Sequence, residues 1–462
     1  MSQKHLPIVD QPASSLRSDG SRNYVHPADV SGRFTTRRNI VFGVLIAIYL
    51  ALPFIRINGH PAVFLDVAHR RFYLFGGSFN SQDFWLAFFL LTGVGFSLIV
   101  MTSLFGRVWC GYACPHSVFL EGVFRRIERM IEGPRNERLK RNAAPMSFDK
   151  LWRKSLKHVL FLGLAAVLAH VFLSYFVSLP GMLDMVRHSP SRHMEAFLWT
   201  TGATVVMYFN FAWFREQLCL IICPYGRLQS TMTDSHTLVI GYDTTRGEPR
   251  GKASDPNAGA CIDCKRCIQV CPTGIDIRNG LQLECVGCAA CIDACDEVMD
   301  RLDRPRGLVR YDSMRGFEGV PTTFWRPRVF IYGALGLLGL TVATISMRSR
   351  TSFEAHLLRQ AGAPFQLSGE VVTNPVNLHL VNKEAEPVHV SIRSRSDSAV
   401  TMETAITEFD LAPHESRYVP IMLRVPRPAL RDVVKGRIEV VDRAQPDKPK
   451  LTEISIIGPA SN

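Results

Sequence analysis

The sequence has no G-x-G-x-x-G, no Walker A loop and no H-E-x-x-H, so a bound nicotinamide or nucleotide is not indicated. Its carboxylates and histidines form no acid–base constellation. Charge is sparse: 20% of the 462 residues are Asp, Glu, Lys or Arg against 47% hydrophobic, too apolar for an ordinary soluble enzyme. The net charge of +12 comes without an aromatic-interleaved basic groove, which argues against nucleic acid. The basic residues crowd beside long apolar segments instead, as membrane topology predicts. No A-x-A-like cleavage site follows the first apolar run, so an uncleaved anchor is favoured over a signal peptide. None of the twelve cysteines is a stray; all fall into spaced clusters, and the last 110 or so residues carry none.

What is present begins with a tail, residues 1–32, rich in Ser, Pro, Gly and Asp and expected to be a disordered cytoplasmic segment. Apolar runs at 39–55, 84–105, 156–179, 196–214 and 329–347 read as five membrane spans. Between the first two, the aromatic stretch 64–75 is too interrupted to span and fits an outer hairpin or interfacial segment. The loop after the second span carries Arg125, Arg126, Arg129, Arg135, Arg138, Lys140, Arg141, Arg153 and Lys154. Such a run places it in the cytoplasm by the positive-inside rule. From residue 351 the pattern changes to period two: Val376, Leu378 and Leu380 alternate with polar residues, as do Val388, Val390 and Ile392. Asn374-Pro375, Glu386-Pro387 and Pro426 read as breaks, and about seven short strands imply a small Ig-like β-sandwich outside the membrane.

The chemistry is carried by cysteine spacing. Cys261-x-x-Cys264-x-x-Cys267-x-x-x-Cys271-Pro272 is followed by Cys285-x-x-Cys288-x-x-Cys291-x-x-x-Cys295. That is the two-cluster ferredoxin pattern, in which three thiolates come from one run and the fourth from the other. The expected ligands are Cys261, Cys264, Cys267 and Cys295 for one [4Fe–4S] cluster, and Cys285, Cys288, Cys291 and Cys271 for the second. Structural zinc uses wider-spaced C-x-x-C pairs. Disulfides are disfavoured in a cytoplasmic insert, where thiols stay reduced. A second device occurs twice: Cys110-x-x-x-Cys114-Pro115 after the second span and Cys219-x-x-x-Cys223-Pro224 after the fourth. Spacing of four puts two thiols on one helix face, with the proline breaking the helix just beyond. Paired thiolates are soft ligands for Cu(I), zinc or iron–sulfur iron. Copper handling, a third iron–sulfur centre and a dithiol gate all remain open at this point. His116, a lone histidine at a helix end, reads as a polar surface residue or a further ligand.

Five spans, two C-x-x-x-C-P motifs, a two-cluster insert and an outer β-domain resemble the cytochrome c oxidase accessory family CcoG, also called FixG or RdxA. The match extends from the 64–75 segment and Ile131-Glu-Gly-Pro134 to Cys291-Ile-Asp-Ala-Cys295-Asp-Glu-Val-Met299. The resemblance implies a bacterial inner-membrane oxidoreductase that reduces Cu(II) to Cu(I) for assembly of a cbb-type oxidase, working with that assembly machinery, copper-handling proteins and an unnamed electron donor. It also implies that Cys110, Cys114, Cys219 and Cys223 handle copper while the ferredoxin-type cysteines carry electrons. A NapH-like quinol-oxidising relay shares the spans and cysteine motifs, but lacks the fifth span and outer domain. The expected architecture is a multi-domain membrane protein: a tail (1–32), four spans with both C-x-x-x-C-P motifs (33–226), a cytoplasmic ferredoxin-like α+β insert (227–326), a fifth span (327–350) and a periplasmic Ig-like domain (351–462), the five spans forming a transmembrane helix bundle.

Overall fold

The computed structural model describes residues 24–459 apart from 81, 82, 84, 385, 396–398, 432 and 433. Most of the expected tail, residues 1–23, therefore lies outside the described residues. Its end, 24–32, is not loose. The Ala28 N–H donates to the Gln269 carbonyl at 2.7 Å. Arg138 and Arg266 donate to the carbonyls of Pro27 and Asp29, and Ala28 and Val30 pack against Val270, Ala290 and Ala294. A sequence without apolar periodicity is here ordered by the surface it crosses.

Among the described residues, four helices are long and apolar enough to cross a membrane: α1 (Arg33–Ala51), α2 (Trp85–Phe105), α3 (Phe148–Val177) and a late one, Pro327–Arg348. A bilayer core of about 30 Å needs about 20 helical residues. The expected span at 196–214 instead appears as α4 (Met194–Phe209), 16 residues, continued by a π-helical turn over Asn210–Phe214. Sixteen residues rise only about 24 Å, so α4 alone falls short, and the five-helix expectation reduces to four clear candidates plus this interrupted one. The late helix, α5 (Pro327–Arg348), has no buried residue at all. Leu337, Leu338 and Leu340 on it are each at least 60% exposed, an apolar surface that water would not support and lipid would.

The helix ends have local causes. α1 starts six residues before the apolar run because Asp293 accepts from the Phe34 and Thr35 N–H groups at 3.2 and 2.7 Å. A carboxylate there satisfies orphan donors and complements the positive helix end. It stops at Ala51, ahead of Pro53. α3 starts at Ser147, whose hydroxyl accepts from Lys150 N, so the charged residues before 156 are helical too.

The chain folds as two compact units: Met1–Phe64 with Leu91–Gly339, and Leu65–Leu90 with Leu340–Asn462. In the first, the insert is closed by the antiparallel pair Val239–Tyr242 and Val309–Asp312, with Ile292 and Met299 of the helix Ala290–Arg301 sharing one core with Ile240, Ile277 and Val309. The expected α+β insert is present.

The second unit is a sandwich. One sheet orders Thr401–Glu403, Ser416–Pro426, Val371–Asn382 and Phe353–Arg359, with Gln366–Ser368 beside Val371–Asn382; the other orders Glu408–Leu411, Val388–Ser394, Lys435–Asp442 and Gln445–Ser455. Val376, Leu378, Leu380, Val390 and Ile392 point into one core, as their alternation predicts. Asn374-Pro375 does not break its strand. On one side Gln366–Ser368 pairs with 371–373 and Phe353–Arg359 with 376–382. Pro375 falls in the gap between them, where its carbonyl accepts from Gln360 N, so the missing N–H is not needed. On the other side it stays in register opposite Met422. The Asn374 side chain also exchanges two hydrogen bonds with the Ile457 backbone.

The 64–75 stretch does form a hairpin: Arg71–Leu74 pairs with Gly77–Asn80 through Phe75 (φ 49°) and Gly76 (φ 88°), the left-handed pair that a two-residue turn requires. Asp83 follows it, buried between Arg350 (3.1 Å) and Lys383 (3.5 Å). Arg350 also donates to Ser78 O and Lys383 to Glu354. Removing one member of a buried ion cluster strands the others. Asp83→Ala should therefore lower stability by about 3 kcal/mol, read as a reduced urea midpoint by circular dichroism of the detergent-solubilised protein.

Candidate functional site

The two cysteine runs repeat one backbone device. Asp263 and Lys265 flank Cys264 with φ of 53° and 56°; Gly287 and Ala289 flank Cys288 with φ of 68° and 62°. Left-handed residues on both sides of the middle cysteine curl each loop around its thiols, and short helices start directly after, at Arg266 and Ala290. Glycine stands at 287 because a Cβ there would sit 2.8 Å from the Arg107 carbonyl.

The thiols gather into two groups. Burial pushes Cys267 up to about 12, and Cys264 and Cys261 add to the push. Burial likewise takes Cys295 to about 12, with Cys267 and Cys261 contributing. In the other group burial pushes Cys285 up to about 12, with Cys288 and Cys271 near it. Cys291 is raised by burial and then by Cys288, Cys285 and Cys271. A cavity lies among Cys267, Cys271, Cys285, Cys288 and Cys291, its other walls including Ile240 and Ile277. Buried thiols that repel one another as anions are poor bare groups and good ligands, since iron charge cancels both penalties. The donor set fits iron–sulfur clusters, whose chemistry is one-electron storage and transfer.

Cys110, Cys114, Cys219 and Cys223 also come together. Burial pushes Cys110 up to about 11, with Cys114 and Cys223 among its neighbours. Cys219 is raised by burial and by Cys114, Cys110 and Cys223. The prolines do more than stop a helix: Cys114 (ψ 124°) and Cys223 (ψ 111°) are extended, and Pro115 and Pro224 open the next helices. The residue before proline avoids the helical region while proline itself suits a first helical turn. So the second cysteine of each pair stands in the corner between two helices rather than on a shared face. Cys219 lies in a π-helical turn, Leu218–Ile222. The two corners are tied by Arg107 Nη2 to Gly226 O (2.6 Å), the Thr102 and Tyr225 hydroxyls (2.6 Å), and the Cys110 thiol to Gln229 Oε1 (3.6 Å). Among the described residues, no three His, Cys, Asp or Glu side chains converge as a single-ion site.

This tetrad sits against the second cysteine run. A Cβ on Gly111 would lie 2.7 Å from Gly287 O and 2.9 Å from Cys288 Cα, so backbone touches backbone between the two sites. A second cavity there is lined by Arg38, His116, Glu121, Glu216, Cys219 and Cys288, among others. His116 is not a surface residue: it stacks on Phe211 at 5.6 Å and its Nδ1 meets Asn210 Nδ2 at 3.2 Å. Burial lowers it to about 4.

Sequence reasoning missed a buried ionic layer beneath the tetrad. Arg125, read as one of many cytoplasmic basic residues, is 6% exposed and bonds Glu121, Glu216 and the Pro272 carbonyl. Glu128, 1% exposed, meets Arg215 (3.1 Å), Arg138 (3.6 Å) and Lys157 (3.6 Å). Burial alone would raise Glu128, but Arg215, Lys157 and Arg138 prevail and hold it at about 2. The Glu121/Arg125 spacing of four was the available signal.

Family models match in three places: a 4Fe-4S binding domain over residues 86–133, a 4Fe-4S dicluster domain over 214–314 and the IG-like fold at the C-terminus of FixG over 343–459. With the cysteine groups and the apolar helices, these define an iron–sulfur electron-transfer protein of the membrane. The chain is 39% identical to protein RdxA of Cereibacter sphaeroides over 385 residues, 79% of this chain and 81% of that one. It is 33% identical to the nitrogen fixation protein FixG of Rhizobium meliloti over 429 residues, 83% and 81% of the two. Protein RdxB of Cereibacter sphaeroides is 36% identical over 422 residues, 85% and 86%. The chain belongs to the FixG/RdxA family, for which the name CcoG is also used.

The contact at Gly111 is open to test. Gly111→Ala forces a methyl into unyielding backbone, an overpacking cost of about 1–3 kcal/mol, and the thermal midpoint should fall accordingly. Gly163→Ala, where a Cβ meets nothing within 4 Å, should leave the midpoint unchanged or slightly raised.

Proposed function

We propose that this protein carries two [4Fe–4S] clusters and passes single electrons to the Cys110/Cys114/Cys219/Cys223 tetrad, where Cu(II) is reduced to Cu(I) for assembly of a cbb-type oxidase. Cys261, Cys264, Cys267 and Cys295 hold one cluster; Cys271, Cys285, Cys288 and Cys291 hold the other. The observation that carries the reading is the seating of the tetrad on the Gly287–Cys288 backbone. Electron transfer weakens steeply with distance, and a glycine-to-glycine contact is as close as two chains come. Cu(II) is the substrate; it gains one electron, and the product Cu(I) is held by a thiolate pair, the soft ligand it prefers.

In this reading α4 with its π-helical extension completes a fifth crossing, so the N-terminus and the insert face the cytoplasm and the Ig-like domain faces the periplasm. The arginines and lysines of 125–154 support that sidedness. A NapH-like relay that oxidises quinol for another redox partner is the second reading. It is favoured by the two C-x-x-x-C-P pairs beside the two-cluster insert, which such a relay shares.

Purified wild-type protein, pre-reduced, should form Cu(I) from Cu(II) in the presence of a Cu(I) chelator, and Cys110→Ala/Cys114→Ala should fall to background. Full activity in that variant would remove the tetrad from copper chemistry, and cluster reduction by added quinol without copper activity would favour the relay.

The ligand pairing makes a separate prediction, read by iron analysis. Cys261→Ala and Cys295→Ala should each lose half of the bound iron, and the double variant no more than either alone. Cys261→Ala/Cys285→Ala should lose nearly all of it.

A further inference from the structure

The two cysteine groups differ in the cations around them. Beside Cys267 the guanidinium is Arg278, and it is spent: it pairs with Asp276 at 2.7 Å and with Asp263. Asp276 and Asp296 bring further negative charge to Cys267 and Cys295. Beside Cys288 stands Arg38 of α1, 8% exposed, whose Nε and Nη1 have no hydrogen-bond partner. Among the described residues, no carboxylate pairs with it. It lines the cavity that also holds Cys288 and Cys219, and its charge opposes the upward push that burial exerts on Cys288. Glu121 acts on Cys288 in the opposite sense, but it is committed to Arg125. Arg107 adds positive charge near Cys285, its Nη2 resting on a neutral carbonyl.

A buried guanidinium with two idle donors is costly unless something anionic answers it. Four thiolates around an iron–sulfur core supply that anion, and added positive charge favours the reduced, more negative state.

We propose that Arg38 is a positioning residue that makes the inner cluster, held by Cys271, Cys285, Cys288 and Cys291, the electron sink of the pair. Its guanidinium, over the Phe42 ring at 5.7 Å but with no carboxylate partner among the described residues, raises the potential of that cluster above that of the cluster held by Cys261, Cys264, Cys267 and Cys295. The inference rests on the two-cluster reading above and gives it a direction. Cys264 is exposed whereas Cys288 is buried. One electron therefore passes from the outer group, which is oxidised, to the inner group against the tetrad, which is reduced, with no proton required.

The test is a redox titration of the full-length, detergent-solubilised protein followed by electron paramagnetic resonance. Arg38→Met and Arg38→Gln should lower the higher of two midpoints and leave the lower one in place. At the wild-type midpoint the reduced-to-oxidised ratio should fall about tenfold, about 59 mV for a one-electron couple. Arg38→Lys, which keeps the charge, should restore most of the difference. If Arg38→Met fails to load iron, the Gln and Lys variants carry the comparison. Unchanged midpoints at full iron content, or a shift of the lower midpoint alone, would overturn the role of Arg38. A wild type that shows no pair of cluster signals would instead overturn the reading on which it rests.

Discussion

Thiols that work as ligands must be anionic, yet of the twelve in this protein three are buried and eight half-buried. Burial and mutual repulsion both resist the anionic state, so positive charge has to be brought to them by iron or by neighbouring cations. Much of the surrounding structure can be read as a response to that requirement. The left-handed residues around Cys264 and Cys288 fold each loop tightly about its sulfurs. Gly111 and Gly287 let the second loop and the tetrad approach as closely as backbones can.

The buried ionic layer under the tetrad follows a different rule. Arg125 meets Glu121 one turn before it and Glu216 on another segment, and Glu128 meets Arg138, Lys157 and Arg215. Such networks are neutral to weak as a source of stability, and severe to lose one member from. They link segments that lie far apart in the chain, Glu128 with Lys157 and Arg215 among them. Arg38 departs from the pattern by having no charged protein partner among the described residues. Charge left unbalanced inside a protein is more informative than charge that is paired.

Much of this was legible in the sequence for simple reasons. Thiol spacing is short-range and chemically demanding, so the cysteine runs declared themselves. The alternation at 376–380 and 388–392 marked a sandwich because strand faces alternate without exception. What escaped was set by distant contacts. Residues 24–32 have no periodicity and are ordered by the insert they cross. Arg125 and Arg138 counted as topology signals when the fold also uses them as buried ions. The prolines at 115 and 224 were read as terminators, though each also opens a helix and leaves the preceding cysteine in a corner. Asn210–Phe214 reads in the sequence as the end of an apolar span, and only the hydrogen-bond register reveals that it switches to a wider turn.

The cap on α1 has a consequence for how the protein is made. Phe34 and Thr35 wait for a carboxylate that lies 259 and 258 residues further along the chain. Chains are synthesised from the N-terminus at about 5–20 residues per second, so the first helix is finished well before its cap exists. During that interval its leading turn has open donors and Arg38 has no thiol to face. Asp293 sits between Cys291 and Cys295 on one helix, so the segment that completes both cysteine groups also completes the start of the protein. The cysteine set of the redox centre and the cap of the first helix are thus completed by the same stretch of chain.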